Sequence, residues 1–274
     1  MAQGPEIAID RQAHNQDCEP LGAVSCRQVG NPEPSEHYLT ICRHLLDLAL
    51  SRAIPIMIFP RPSTGMKGLS GTGFVLKIGS DAVLVTANHV FEGFKQKHWS
   101  RPEDWHWIVG KLPPFDPTER VRYTDRGKDI VFLRLTADET QAVCGNSSEV
   151  IEPRLWPPPL PVIGDAVVMA GYPGDLREVR PGKSEVGAGA AKTILRVKSA
   201  YGDNSQYLCE LDFSLNYGGQ LPPADYDLGG ISGGPVFKME EGAAGILQLA
   251  LVGVIVECSR ERIVFSALAD LPAR

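Results

Sequence analysis

Three short segments carry side chains that could perform acyl transfer. The first is Gly229-Gly230-Ile231-Ser232-Gly233-Gly234-Pro235. Glycines around one serine give a backbone free to adopt positive φ. Such a loop can aim successive N–H groups at one point, a concave anion site. Its neighbours also leave the serine hydroxyl uncovered. A nucleophile for acyl transfer needs both features, an accessible Oγ and N–H donors for the developing oxyanion; a plain glycine-rich turn has the same composition. The second segment is Leu84-Val85-Thr86-Ala87-Asn88-His89-Val90, an apolar strand ending in small residues that present a histidine. Of the six histidines, at 14, 37, 44, 89, 98 and 106, only His89 follows a buried-looking strand directly with room for a partner. The plainer alternative is a core or surface histidine. The third segment is Lys128-Asp129-Ile130-Val131-Phe132-Leu133-Arg134-Leu135. Here an aspartate opens an almost continuous apolar strand, where a carboxylate is costly to bury without a hydrogen bond. A histidine Nδ1–H would supply one. A turn aspartate ahead of a strand is the common alternative, and nearby Asp125 fits it better, because no strand follows Asp125 directly.

Something must position these groups. Residues 1–35 read as an irregular leader closed by Asn31-Pro32-Glu33-Pro34. Ser35 reads as an N-cap, and Leu39, Cys42, Leu46, Ala49 and Ala53 recur at helical spacing, which predicts a helix over about 36–52 packed outside a β core. From Ile54 the period changes. Strands are predicted at Ile54–Phe59, Gly73–Ile78, Ala82–Thr86, Trp105–Val109, Arg120–Tyr123 and Asp129–Leu135, with Gly79-Ser80-Asp81 as a hairpin turn. None of these intervals is expected to have room for a crossover helix, so the sheets should be antiparallel. Trp156-Pro157-Pro158-Pro159-Leu160-Pro161 cannot be helix or central strand and divides the chain. Beyond it come strands at Ala166–Ala170, Thr193–Lys198, Tyr207–Phe213, Gly234–Lys238, Leu249–Val256 and Arg262–Ser266, then a short helical turn at Ala267–Leu271. The fold expected is mainly β: two antiparallel six-stranded β-barrels with an N-terminal helix. The leader and helix take residues 1–53, the first barrel about 54–150, the linker about 151–161 and the second barrel about 162–271.

Composition narrows the function. Apolar residues make up 43% and charged residues 22% of the 274, as in soluble globular chains. The 28 glycines and 22 prolines imply many turns and argue against a helix bundle. A net charge of −6 lacks the basic excess of a nucleic-acid binder. No segment approaches the roughly 18 apolar residues of a membrane span, and the start shows no secretory leader. The expectation is a cytoplasmic protein with no nucleic-acid or membrane partner. The six cysteines, at 18, 26, 42, 144, 209 and 258, lack CxxC spacing and are expected to be free thiols. His14, Cys18, Cys26, His37 and Cys42 match no zinc spacing, so neither metal nor other cofactor is expected.

Taken together and in order, the three segments resemble the trypsin-like (chymotrypsin-fold) serine peptidases, most closely the bacterial HtrA/Deg-like branch. The matching words are Gly71-Thr72-Gly73-Phe74, Thr86-Ala87-Asn88-His89-Val90, Asp129-Ile130-Val131-Phe132-Leu133 and Ile231-Ser232-Gly233-Gly234-Pro235-Val236. Val162-Ile163-Gly164-Asp165-Ala166-Val167, followed by Ala170-Gly171-Tyr172-Pro173-Gly174, resembles the entry to the family's second barrel. The resemblance covers roughly residues 54–271. It implies a serine endopeptidase with Ser232 as nucleophile, His89 as general base and then general acid, and Asp129 holding the imidazole. It further implies an oxyanion hole made by the N–H groups of Gly230 and Ser232, in a cleft between the barrels, and a protein or peptide as substrate. Tyr226, six residues before the serine, would sit at the base of the substrate pocket between Asp225 and Asp227. Leu251-Val252-Gly253-Val254-Ile255 resembles the strand bordering that cleft, which puts Val254 at the same pocket.

Several features depart from the family. Ile231 stands where the digestive branch has an aspartate that pairs with a new N-terminus, so activation by zymogen cleavage is not expected. The sequence runs only a little beyond the second barrel, so the PDZ domains of HtrA peptidases are not expected. Residues 1–53, or a regulatory partner protein, are then expected to gate the cleft. The stretch from Asp129 to Ser232 is long, with loops expected around 174–192 and 214–229. The other reading is a catalytically silent scaffold used for binding.

Overall fold

Apolar runs broken by turn residues fold into two six-stranded antiparallel modules, seen in a computed structural model. It describes residues 35–60, 68–110, 112, 115–145, 149–153, 156–174, 177–179, 186–188, 190–203, 205–211, 228–242, 246–269 and 271. Helix α1 (Glu36–Leu50) comes first. The first module holds β1 (Ile54–Pro60), β2 (Leu69–Ile78), β3 (Asp81–Ala87), β4 (Trp105–Val109), β5 (Val121–Asp125) and β6 (Ile130–Leu135). They form one sheet in the order β4-β1-β2-β3-β6-β5. Gly79, at φ +62°, makes the tight β2–β3 turn. The second module holds β7 (Ala166–Gly171), then the small hairpin β8 (Arg177–Val179) and β9 (Val186–Ala188). It continues with β10 (Ala191–Tyr201), β11 (Gln206–Glu210), β12 (Pro235–Glu241), β13 (Leu247–Cys258) and β14 (Arg262–Ala267). Six of these close a barrel in the order β10-β11-β14-β13-β12-β7. All twelve strands expected from the sequence are present; the second module closes as a barrel, whereas the first is a six-stranded antiparallel sheet and not the closed barrel expected.

The other differences lie between the strands. Helix α2 (Asn88–Ser100) fills the interval after β3, and α3 (Ala137–Cys144) follows β6. Neither alters the antiparallel pairing, because β3 and β4 are not neighbours in the sheet. In α2, Val90, Phe91 and Phe94 are buried, and the rings of Phe91 and Phe94 meet Trp107 edge-on. A polar stretch after Phe94 blurs that periodicity in the sequence. The signal for α3 was plainer: Thr136-x-x-Glu139 is a capping box, with both reciprocal hydrogen bonds formed. The hairpin β8–β9 was also unforeseen. Ile151 donates to the Val75 carbonyl and accepts from Lys77 N–H, which ties the segment after α3 to β2.

The core comes in three parts. One cluster fills the first sheet and one fills the barrel. The third lies between them and includes Phe74, Val85 and Phe132 from the first module and Val168, Phe237 and Val254 from the second. Cys42, Leu46 and Ala49 of α1 belong to this third cluster, and the helix packs outside the barrel, chiefly against β7 and β10, as the sequence predicts. Ser35 caps α1 through its side chain, which accepts from Tyr38 N–H. At the other end Arg52 lies over the Phe237 ring of one module and beside Glu149 of the other. Among the described residues, no helix is long and apolar enough to cross a membrane.

Leu46→Ala should therefore cost about 2–5 kcal/mol. Because Leu46 touches a shared core, chemical denaturation should show one transition moved to lower denaturant, not a separate early loss of the helix.

Candidate active site

Asp129 ends the turn before β6 with φ +56°, in the left-handed region that aspartate tolerates better than most residues. Three hydrogen bonds hold it there. Its carbonyl accepts from Asn88 N–H at 2.8 Å, and its Oδ1 accepts from His89 N–H at 2.8 Å. Its Oδ2 lies 2.5 Å from His89 Nδ1. Both carboxylate oxygens are thus committed to one residue. An ionised carboxylate can only accept, so it keeps the proton on Nδ1 and leaves the Nε2 lone pair available. The His89 side chain is 51% exposed, against 27% for Asp129, so the imidazole keeps an open face for a second partner. Asp125 is a turn residue, as its position suggested; it accepts from Lys128 N–H at 2.9 Å and from the Tyr123 hydroxyl.

His89 lies in the first turn of α2 and not in a loop. The helix starts where β3 stops, so the register of β3 sets the position of the imidazole. β3 pairs Ala87 with Ile130, one residue after Asp129. The strand ladder therefore brings the histidine and the aspartate to the same end of the sheet.

The serine loop reaches that end from the other module. Thr72 N–H donates to the Ser232 carbonyl at 2.8 Å, and the Thr86 hydroxyl donates to the Thr72 carbonyl at 2.6 Å. Gly233 lies in the fork where β2 and β3 part. A Cβ there would strike the Thr72 carbonyl and the Thr86 hydroxyl, and would come within 3.0 Å of Ala87 N. Ser232 is thereby brought against the strand end from which His89 projects, and at 8% exposure it is less open than its glycine neighbours suggest, because the loop is pressed into the fork.

The loop is two consecutive tight turns. Ile231 N–H donates to the Leu228 carbonyl, and Gly234 N–H to the Ile231 carbonyl. The third residue of each turn is a glycine at positive φ, Gly230 at +100° and Gly233 at +91°, the conformation that makes glycine the favoured residue there. Among the described residues, neither Gly230 N–H nor Ser232 N–H donates a hydrogen bond.

The pocket residues fared differently. Tyr226 lies outside the described residues. Val254 is fully buried in the core between the modules and pairs with Pro235 and Ser266. The β12 ladder ends at that pair, while β13 runs on to Cys258 beside β14. Sequence reasoning missed Thr72, whose three polar atoms make four hydrogen bonds around this site.

Of the candidate metal ligands, His14, Cys18 and Cys26 lie outside the described residues. His37 is exposed on α1, while Cys42 is buried and its thiol is pushed up by that burial. Among the described residues, Cys42, Cys144 and Cys209 are in no disulfide, and burial pushes the Cys209 thiol up to about 12.

With this geometry in view, the comparisons place the chain. The model of the trypsin-like peptidase domain family matches residues 71–246, and the chain belongs to that family. Among solved structures it is similar to the Rv3671c protease from M. tuberculosis in its active form, with 18% identity, a TM-score of 0.45, and coverage of 92% of this chain and 89% of that one. No curated protein matches the chain.

Gly233→Ala should displace the serine loop, because the collision is with backbone and the φ is unfavourable for alanine. We expect a loss of at least about 2 kcal/mol in equilibrium unfolding, or a fold that persists with the loop expelled, which proteolysis near residue 232 would report.

Proposed function

We propose that the protein is a serine endopeptidase that cleaves protein or peptide bonds through an acyl-enzyme on Ser232. The observation that carries this reading is the hydrogen-bonded pair of His89 and Asp129 at the strand end against which the Ser232 loop is docked. His89 Nε2 takes the Ser232 proton as Oγ attacks the carbonyl carbon. The tetrahedral oxyanion is met by the N–H groups of Gly230 and Ser232. His89 then gives the proton to the leaving amine, and the C–N bond breaks. Water then attacks the acyl carbon as it loses a proton to the same nitrogen, the C–Oγ bond breaks, and His89 returns that proton to Ser232. Asp129 stabilises the imidazolium in both halves of the cycle. An extended peptide laid along β13 where it outruns β12 would continue the sheet as an added strand. Membership of the trypsin-like peptidase domain family supports the peptidase part of this reading.

The test is labelling by a fluorophosphonate and turnover of an unfolded casein-like substrate. Wild type should label and cleave, and Ser232→Ala should do neither, with turnover down on the order of 10⁴-fold or more. Labelling that survives in Ser232→Ala would overturn the assignment, and a wild type that neither labels nor cleaves would favour a binding scaffold.

Asp129→Asn should fold, since asparagine also tolerates positive φ. Its amide must still accept from His89 N–H through oxygen, which turns its NH₂ toward Nδ1. That places the imidazole proton on Nε2, and turnover should fall by about 10⁴-fold.

A further inference from the structure

We propose that the Thr72 hydroxyl is a positioning group that sets the orientation of the oxyanion-binding peptides, an inference that rests on the peptidase reading above. Thr72 lies in β2 of the first module and is completely buried. Its Oγ1 lies 2.8 Å from the Gly230 carbonyl and 2.9 Å from Tyr172 N. A hydroxyl has one proton, and the Tyr172 N–H can only donate. The Thr72 proton is therefore directed at the Gly230 carbonyl, with no choice of rotor.

That carbonyl belongs to the peptide joining Gly230 to Ile231. The preceding peptide, which carries the Gly230 N–H, is pinned from the same quarter: Gly174 N–H donates to the Gly229 carbonyl at 2.6 Å. A trans peptide points its C=O and N–H in opposite directions. Holding the Gly229 carbonyl on Gly174 thus turns the Gly230 N–H the other way. The following carbonyl is held on Thr72, and the turn Tyr172-Pro173-Gly174 is itself tied to Thr72 through Tyr172 N–H. One side chain therefore braces both the loop and the turn that supports it. The loop needs such bracing because its glycines resist reorientation poorly: Gly230 sits at φ +100° with no side chain to confine it. A Cβ at Gly230 would also crowd Gly174 N and the Tyr172 carbonyl, so the packing that could have fixed this position is excluded.

A purely structural threonine would affect stability and all binding alike. A positioning hydroxyl acts on the step in which the oxyanion forms. The experiment compares Thr72→Val, which keeps the shape and loses the hydroxyl, with Thr72→Ser, which keeps the hydroxyl and loses the methyl. Each is read by kcat, KM and affinity for a peptide aldehyde, which forms a tetrahedral adduct on the serine, with thermal melting to establish the folded fraction. We expect Thr72→Val to lose about 10–10³-fold in kcat with little change in KM, and to lose aldehyde affinity by a similar factor. Thr72→Ser should stay within about threefold of wild type in kcat, by retaining both hydrogen bonds. Should Thr72→Val fail to fold, Thr72→Ala takes its place against the same serine variant. Equal activity of the hydroxyl-free variant and wild type overturns the inference alone, as does an equal loss in Thr72→Ser. A wild type whose Ser232 is not labelled by a fluorophosphonate overturns the peptidase reading and this inference with it.

Discussion

The hydrogen bond from Thr72 N–H to the Ser232 carbonyl marks the contact on which the site depends. β2 and β3 diverge beyond the Gly73–Thr86 pair, and the peptide of Ser232 and Gly233 fills the gap between them. A segment of the second module thereby satisfies a backbone donor that the first module leaves open. Unpaired buried backbone groups are costly, so the two modules are held in register by the same bond that places the serine. The tightness of the fork explains why position 233 has no side chain.

The rest of the molecule stiffens that contact from behind. The cluster between the modules draws on β2, β3, β6, β7, β12 and β13, and α1 closes it with Cys42, Leu46 and Ala49. Ion pairs tie the helix outward on both sides, Asp47 to Lys192 of the barrel and Arg52 to Glu149 of the first module. Exposed pairs of this kind contribute little to stability; the apolar face does most of the holding. The site therefore sits on the rims of two packed sheets, and its geometry follows from strand register.

Ile231 illustrates how the serine loop is kept in shape. It is buried in the barrel core with Val236 and Ile255, and a Cβ at Gly171 would strike it. The loop between Leu228 and Gly234 is thus anchored by an apolar side chain and by carbonyls held on Thr72 and Gly174. The two turns form with an apolar side chain, and not an ion pair, at position 231.

Strand identity was legible in the sequence because burial on one or both faces of a sheet leaves a local pattern, and all twelve expected strands carry it. The histidine, aspartate and serine segments were legible for a similar reason: each places one polar side chain at the end of an apolar run or among glycines. The helix α2 was hidden because its apolar face covers only one turn and a half before polar residues follow, and its stability comes from Trp107 on a distant strand. The left-handed conformation of Asp129 was equally invisible, since its hydrogen bonds come from Asn88 and His89, forty residues away in the chain. Thr72 was quoted only as part of a matching word. Its sequence neighbours say nothing of Gly230 or Tyr172, which meet it only after both modules have folded. Local propensity is a property of a window of residues, whereas a hydrogen bond across 158 positions exists only once packing has brought its ends together.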